Sequence, residues 1–100
     1  MRLQVHSIHF DADQKLIDFI EQRISKLKTF YDRLLDGEVF LRINNEGIEN
    51  KTVEIKLTVP GRQLFAKEQA RTFEAAADMA TEALRNQLKK FKTRKIGSRS

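Results

Sequence analysis

The 100-residue sequence contains no cysteine and only four glycines. The lack of cysteine excludes disulfides and thiolate chemistry, so nothing in the composition indicates an oxidising compartment. The glycines are scattered singly, which excludes a glycine-rich phosphate-binding loop. No apolar run approaches the length of a membrane-spanning helix, and the N-terminal segment MRLQVHSIHF lacks the long apolar run of a signal peptide. We therefore expect a cytoplasmic protein that does not bind membranes.

Groups suited to catalysis or metal binding are equally scarce. His6 and His9 are the only histidines, and no acid or cysteine stands at ligand spacing from them, so structural or surface roles are favoured over metal binding. Glu46 and Glu49 fall in a predicted polar loop, where solvation is favoured over a catalytic pair. No serine has an evident base. The sequence therefore predicts that the chain is not an enzyme and has no cofactor, metal or small-molecule substrate.

Negative charge is missing from the last part of the chain. The formal net charge is +5, and seven of the 19 lysines and arginines lie in the last 18 positions, with no acid after Glu82. A few cations near a helix C-terminus would favour the helix dipole and aid solubility. This cluster exceeds what that requires, so it favours polyanion binding, and nucleic acid over membrane because late apolar anchors are few.

Alternating apolar residues predict a first strand near the N-terminus. Leu3 and Val5 alternate, and the pattern slips by one before Ile8 and Phe10, which suggests a β-bulge near Ser7. A strongly periodic helix is predicted next, over residues 14–34.

The start of this first helix has two candidate N-caps, Asp11 and Asp13. Asp11 with Gln14 also fits the capping-box spacing. The sequence alone leaves both aspartates open.

The polar side of the first helix is sorted by charge at about 100° per residue. The bases fall within a stripe roughly 20° wide on one flank of the apolar face: Lys15, Lys26 and Arg33. The acids fall together about 100° away: Asp18, Glu21 and Asp32. With so few residues, this separation of charges is explained equally well by chance or by one flank of the helix facing a partner. Arg23, at the margin of the apolar face, has the length to extend toward the basic flank.

The second half of the chain predicts three strands, over residues 38–44, 52–59 and 62–68. Hairpin-length connections join them, and Pro60-Gly61 fits a type II turn.

A second helix is predicted from Thr72, as its N-cap, to Lys95. The resulting domain covers residues 1–95, followed by a flexible basic tail over residues 96–100.

The predicted order is β-α-β-β-β-α, an α+β fold. A helix joins the first two strands, so these should be parallel, while the hairpins are antiparallel. Half-buried alternation indicates a four-stranded mixed sheet with both helices packed on one face, a shape like that of double-stranded-RNA-binding domains. Two helices side by side would bring the basic flank of the first near the basic end of the second.

The other face of the sheet is expected to be open to solvent. It would present a mixture of aromatic and charged side chains: His6, Phe40, Arg42, Lys56, Phe65 and Lys67. One common RNA-binding module stacks bases on such a face, but its motif and strand order are absent here. We therefore favour Phe40 and Phe65 as neighbours that shield each other across the sheet, or as an edge contact.

Three segments resemble one protein family. The run KLKTFYDR at residues 26–33 resembles the signature that ends the first helix of the ribosome hibernation promoting factor family, also called ribosome-associated inhibitor or protein Y. TFEAAAD at residues 72–78 resembles the start of that family's second helix, and residues 84–92 resemble its end. The resemblance covers nearly the whole chain, and the predicted element order agrees with it.

The resemblance implies a stress factor that binds the small ribosomal subunit, in the channel for messenger and transfer RNA, and silences idle ribosomes. Its partners would be that subunit and its ribosomal RNA, with the free protein a monomer. The basic positions carried over from the family are Arg23, Lys26, Arg33, Lys90 and Lys92; charge and facing add Arg85 and Lys89 as RNA-binding candidates. Because the sequence ends at Ser100, we expect a short form without the domain that pairs ribosomes in long members.

Two other functions are consistent with the same residues. The chain would also suit a generic double-stranded-RNA-binding protein, which would bind a free duplex as well as a ribosomal subunit. It would also suit a protein-interaction module that uses Phe40, Lys56 and Phe65 on the open face of the sheet.

Overall fold

The structure is a computed structural model that describes residues 1–44 and 46–97, with side chains up to Lys92. The described residues form four strands and two α-helices in the predicted order. Their bounds are β1 Arg2–Ser7, α1 Gln14–Phe30, β2 Asp36–Ile43, β3 Lys51–Val59, β4 Arg62–Ala70 and α2 Phe73–Gly97.

The four strands form one mixed sheet in the order β1-β2-β3-β4. β1 and β2 are parallel, and the other two pairs are antiparallel, so the predicted topology is confirmed. The register aligns Val5 with Val39, Val39 with Ile55, and Ile55 with Ala66. This apolar row crosses all four strands on the face that the helices cover.

The core lies between that face and the two helices. α2 packs over β3 and β4, and α1 packs beside α2. Ala76, Ala77 and Ala80 are fully buried, and their small side chains let α2 lie close to the sheet. Ile20 and Ile24 of α1 are also fully buried and belong to the same core.

Asp13 is the N-cap of α1. Its side chain accepts a 2.8 Å hydrogen bond from the backbone N–H of Leu16, which would otherwise lack a partner in the first turn. The other alternative, Asp11 in a capping box with Gln14, is not adopted, because Asp13 is the cap and the Gln14 side chain donates to Asp18.

α1 ends at Phe30 rather than at Leu34 as predicted. Tyr31 takes an extended backbone conformation, with φ −139° and ψ 99°, and both Tyr31 and Leu34 are buried outside the helix. The Lys28 ammonium group donates to the carbonyl oxygens of Asp32 and, at 3.2 Å, of Leu34. Burial against the core, rather than helical periodicity, therefore explains the apolar residues after Phe30.

β1 ends at Ser7, so the predicted bulge within a strand extending to Phe10 is wrong. His9 has a positive φ of 65°, which turns the chain away from the sheet. The Ile8 N–H still donates to the Leu41 carbonyl at 2.9 Å, one residue beyond the strand.

The predicted turn and cap in the second half are present. Gly61 has a φ of 85°, the value that a type II turn requires after Pro60. The Thr72 hydroxyl accepts a 3.0 Å hydrogen bond from the N–H of Ala75, which confirms it as the cap of α2. α2 includes Ile96 and Gly97, the first residues of the predicted tail, and residues 98–100 lie outside the described part.

Candidate nucleic-acid interface

The two helices run in the same direction. Contacts between them advance together along both: Arg23 meets Asp78, and further on Phe30 meets Arg85 and Tyr31 meets Phe91. The C-terminal end of α1 therefore lies beside residues 85–92 of α2. The basic end of the second helix is thereby placed next to the end of the first.

Phe30, the last residue of α1, lies at the centre of this arrangement. The guanidinium carbon of Arg85 is 5.0 Å from the centre of the Phe30 ring, and the ammonium nitrogen of Lys92 is 4.6 Å from it. Lys92 also donates to the Phe30 carbonyl oxygen at 3.4 Å. Both cations of α2 thus contact the end of α1, where a cation also complements the helix dipole.

Lys26 belongs to the same surface. It is exposed on α1 and, with Phe30 and Arg85, lines the groove between the helices. Lys89 lies one turn beyond Arg85 on the same face of α2. We call this surface the basic ridge, and define it as Lys26, Arg85, Lys89 and Lys92. The predicted juxtaposition of bases is present for Lys26 and Arg85, which line one groove, and for Lys92, which contacts the end of α1.

Arg23 has a different environment from the ridge. Its Nε donates a 2.6 Å hydrogen bond to Asp78 on α2, and its guanidinium carbon lies 4.5 Å from the centre of the Phe19 ring. The carboxylate of Asp78 balances its charge, so Arg23 joins the two helices. Glu82 also lines this part of the groove, whereas no acid follows it in the sequence. Acids therefore accompany the bases in the part of the groove near Arg23, whereas bases predominate toward the C-terminal end of α1.

Arg33 is not on α1, because the helix ends at Phe30. The predicted stripe of Lys15, Lys26 and Arg33 along one helix is therefore wrong. The predicted grouping of Asp32 with Asp18 and Glu21 on that helix is wrong for the same reason. Arg33 is exposed in the connection between α1 and β2, at the end of the molecule where both helices end. Its nearness to the ridge follows from the chain connection and not from helical spacing.

Lys90 is exposed but does not face α1. It lies about 200° around α2 from the fully buried Leu88, on the side opposite the core. Any contact that it makes with RNA would be on the outer side of α2, separate from the groove.

One contributor to this end of the molecule, Arg62, was missed in the sequence. Arg62, at the start of β4, has its guanidinium carbon 5.6 Å from the centre of the Phe91 ring. The Phe91 ring lies edge-on to Tyr31, with centroids 5.8 Å apart. The Pro60-Gly61 turn could have predicted the position of Arg62, because this hairpin turn lies at the end of the sheet where α1 ends.

The open face of the sheet, unlike the ridge, pairs its cations with carboxylates. Glu54 accepts a 2.5 Å hydrogen bond from Arg42 and lies 3.8 Å from the Lys67 ammonium. His6 Nε2 lies 3.0 Å from Glu38. One carboxylate thus lies between two cations at the centre of this face.

The predicted pair of Phe40 and Phe65 is wrong. Phe40 stacks on His6, with ring centroids 5.0 Å apart, whereas Phe65 aligns with Lys56 in the register and is 47% exposed. One strand separates the two phenylalanines, and this lateral distance prevents them from shielding each other.

The described residues contain no group of three or more histidines and acids that could hold a metal ion. Neither helix, within the part of the chain that the structure describes, is both long and apolar enough to cross a lipid bilayer.

Fold and site together define a small α+β domain with a basic surface between two parallel helices. The chain belongs to the Sigma 54 modulation protein / S30EA ribosomal protein family, whose sequence profile matches residues 3–96. The ribosome hibernation promotion factor of Deinococcus radiodurans is 32% identical over 100 residues, covering 96% of this chain and 51% of the relative. The chain thus spans about half the length of that relative. The ribosome hibernation promoting factor of Azotobacter vinelandii is 28% identical, covering 96% of this chain and 87% of the relative.

Two solved structures share the fold. A ribosomal subunit interface protein from Coxiella burnetii superposes with a TM-score of 0.84 at 20% identity, covering 93% of this chain and 99% of that one. The N-terminal domain of Thermus thermophilus Protein Y gives 0.79 at 23% identity, covering 91% and 99%. At these identities the likeness shows the fold alone, and it agrees with the predicted α+β architecture.

Proposed function

We propose that this chain is a non-catalytic, ribosome-associated translation inhibitor of the hibernation type. The coarse assignment to a ribosome-associated factor rests on family membership and on relatives named as hibernation factors. The finer proposal is that the basic ridge binds small-subunit ribosomal RNA, in the channel that messenger and transfer RNA use. Occupying that channel would prevent translation without any chemical step. The protein would act in the cytoplasm as a monomer when free.

One observation carries the finer proposal: cations from two separate segments meet at the end of α1, and α2 carries no acid after Glu82. Lys26 of α1 and Arg85 of α2 line one groove, and Lys92 contacts the end of α1. Phosphate groups along an RNA backbone are spaced regularly, so a row of cations on a rigid surface complements them. Arg33 and Lys90 would extend this contact to either side of the ridge.

Charge reversal at four positions tests the proposal. A variant with Lys26, Arg33, Lys90 and Lys92 each replaced by glutamate should lose co-sedimentation with small ribosomal subunits. Its fold should remain intact by circular dichroism, because three of these side chains are exposed and Lys92 is only half-buried. Co-sedimentation equal to that of the unmodified protein would contradict the proposal.

The matched control reverses four bases elsewhere. Lys15, Lys56, Lys67 and Arg71 are all exposed and lie away from the ridge. Their replacement by glutamate gives the same net charge as the ridge variant. This control should retain most of the binding, because only the location of the charge differs. If both variants lost binding equally, the interaction would be a non-specific electrostatic attraction.

Competition separates the ribosome factor from a generic RNA-binding protein. Labelled small subunits and an unlabelled RNA duplex are offered together over a range of duplex concentrations. A hibernation factor should stay on the subunits, whereas a generic double-stranded-RNA-binding protein should transfer to the duplex. Sucrose-gradient profiles of starved cells with and without the protein then test for idle ribosomes directly.

A protein-interaction function is favoured by one separate observation, the exposed Phe65 beside Lys56 on the open face. A variant with Phe40, Lys56 and Phe65 replaced by serine, glutamine and serine tests it. Under our proposal this variant binds small subunits normally. If this variant alone lost binding, the interface would lie on the open face of the sheet and not on the helices.

A further inference from the structure

Phe30 occupies a special position at the end of α1. It is the last helical residue, and its side chain is only half-buried, whereas the next residue, Tyr31, turns into the core. The ring therefore lies between the apolar interior and the groove that Lys26 and Arg85 line.

Two cations from α2 contact this one ring. The Arg85 guanidinium carbon lies 5.0 Å and the Lys92 ammonium nitrogen 4.6 Å from its centre, within the range of attraction by the negative face of an aromatic ring. The hydrogen bond from Lys92 to the Phe30 carbonyl adds a second restraint at the same residue. Arginine and lysine otherwise sample many rotamers, and that freedom must be lost when they bind a phosphate.

The ring restrains these cations in a way that a carboxylate would not. Arg23, upstream in the same groove, is held by Asp78, which also balances its charge. A phenylalanine carries no net charge, so Arg85 and Lys92 keep their full charge for an anion. Glu82 lies three residues before Arg85 on α2 and lines the same groove, yet the Arg85 guanidinium lies over the ring.

We infer that Phe30 is a positioning residue of the RNA interface: its ring orders Arg85 and Lys92 for phosphate contact while leaving them charged. This inference rests on the proposed function. Phe30 itself need not touch RNA. Its contribution lies in lowering the conformational cost of binding, which is the general advantage of a preorganised surface.

Substitutions that keep or remove the ring test this role. Phe30→Leu and Phe30→Met keep an apolar side chain without the aromatic face, and each should weaken binding to isolated small subunits about three- to tenfold. Phe30→Tyr keeps the ring and should restore binding to within about twofold of the unmodified protein. Urea unfolding identifies a leucine or methionine variant that fails to fold, and the test then uses the other variant. Leucine and methionine variants that bind like the unmodified protein would overturn the inference.

A double-mutant cycle separates positioning from general structure. In a background with Arg85→Gln and Lys92→Gln, the ring has no cations to order, so Phe30→Leu should change affinity by less than about twofold. If Phe30 only supported the fold, its loss would weaken binding equally in both backgrounds. An equal loss would therefore overturn the inference.

The outcomes also separate this inference from the proposed function. If the unmodified protein binds, the ridge charge-reversal variant does not, and Phe30→Leu binds normally, only the role of Phe30 is wrong. If the unmodified protein fails to bind small subunits, or if the charge-reversal variant still binds, both are wrong.

Discussion

Arg23 on α1 and Asp78 on α2 form an ion pair across the two helices, with Nε and Oδ1 2.6 Å apart. The Arg23 guanidinium also lies over the Phe19 ring of its own helix. This pair joins the helices upstream of the basic ridge. The upstream contact is between opposite charges, whereas downstream Arg85 and Lys92 meet an uncharged ring. The same groove thus contains a structural contact and a surface available to an anion.

The Arg23–Asp78 pair should make a small, salt-sensitive contribution to stability. The side chains are 31% and 52% exposed, so solvent screens their attraction. In a double-mutant cycle with Arg23→Gln and Asp78→Asn, we expect a coupling of about 0.5 kcal/mol in the free energy of unfolding. Urea denaturation at low salt measures it, and 1 M salt should largely remove it. A coupling that is unchanged by salt would show that packing on Phe19 holds Arg23.

Asp13→Ala should destabilise the protein by about 1 kcal/mol, because the N–H of Leu16 loses its hydrogen-bond acceptor. Asp11→Ala is the matched control, since it removes the same charge two residues earlier without removing the cap. Urea denaturation of both variants compares them directly. Equal destabilisation would assign the effect to charge near the helix N-terminus rather than to the hydrogen bond.

Tyr31→Phe should leave the free energy of unfolding unchanged or raise it by up to about 1 kcal/mol. The Tyr31 hydroxyl is buried and has no hydrogen-bond partner among the described residues, so its removal should relieve a desolvation cost. Tyr31→Leu is the comparison, because it removes the ring that packs edge-on against Phe91 and should be destabilising. If the free energy of unfolding of the phenylalanine variant fell by more than about 1 kcal/mol, the hydroxyl would have a hydrogen-bond partner.

Arg33→Gln should weaken small-subunit binding and reduce its salt dependence. If Arg33 contacts one phosphate, the slope of log affinity against log salt should become less negative by about 0.7 to 0.9. Lys15→Gln is the control, because Lys15 is exposed near the other end of α1 and should leave the slope unchanged. An unaltered slope for Arg33→Gln would confine the interface to the helices.

Local patterns were sufficient to predict most of the secondary structure. The alternation that predicted the hairpin strands, the Pro60-Gly61 turn and the cap at Thr72 all depend on contacts between residues close in sequence. The parallel pairing of β1 and β2 followed from the helix that connects them. Charge counting likewise located the basic end of α2.

Predictions failed where distant residues decide the local conformation. Helical spacing continues through Tyr31 and Leu34, but both are better buried in an extended connection, so α1 ends earlier. The same change removed Arg33 from the helix. The stacking of Phe40 on His6 likewise depends on the register of neighbouring strands, which alternation within one strand does not specify.

The sequence by itself determined the element order, the amphipathic faces and the placement of positive charge, because each depends on residue type and on spacing within one segment. Only the tertiary structure decided which cations remain available to an anion. Asp78 balances Arg23 from 55 positions away, and Phe30 contacts Arg85 and Lys92 without balancing either. These differences arise because α1 and α2 pack in parallel, and that packing is a property of the whole core.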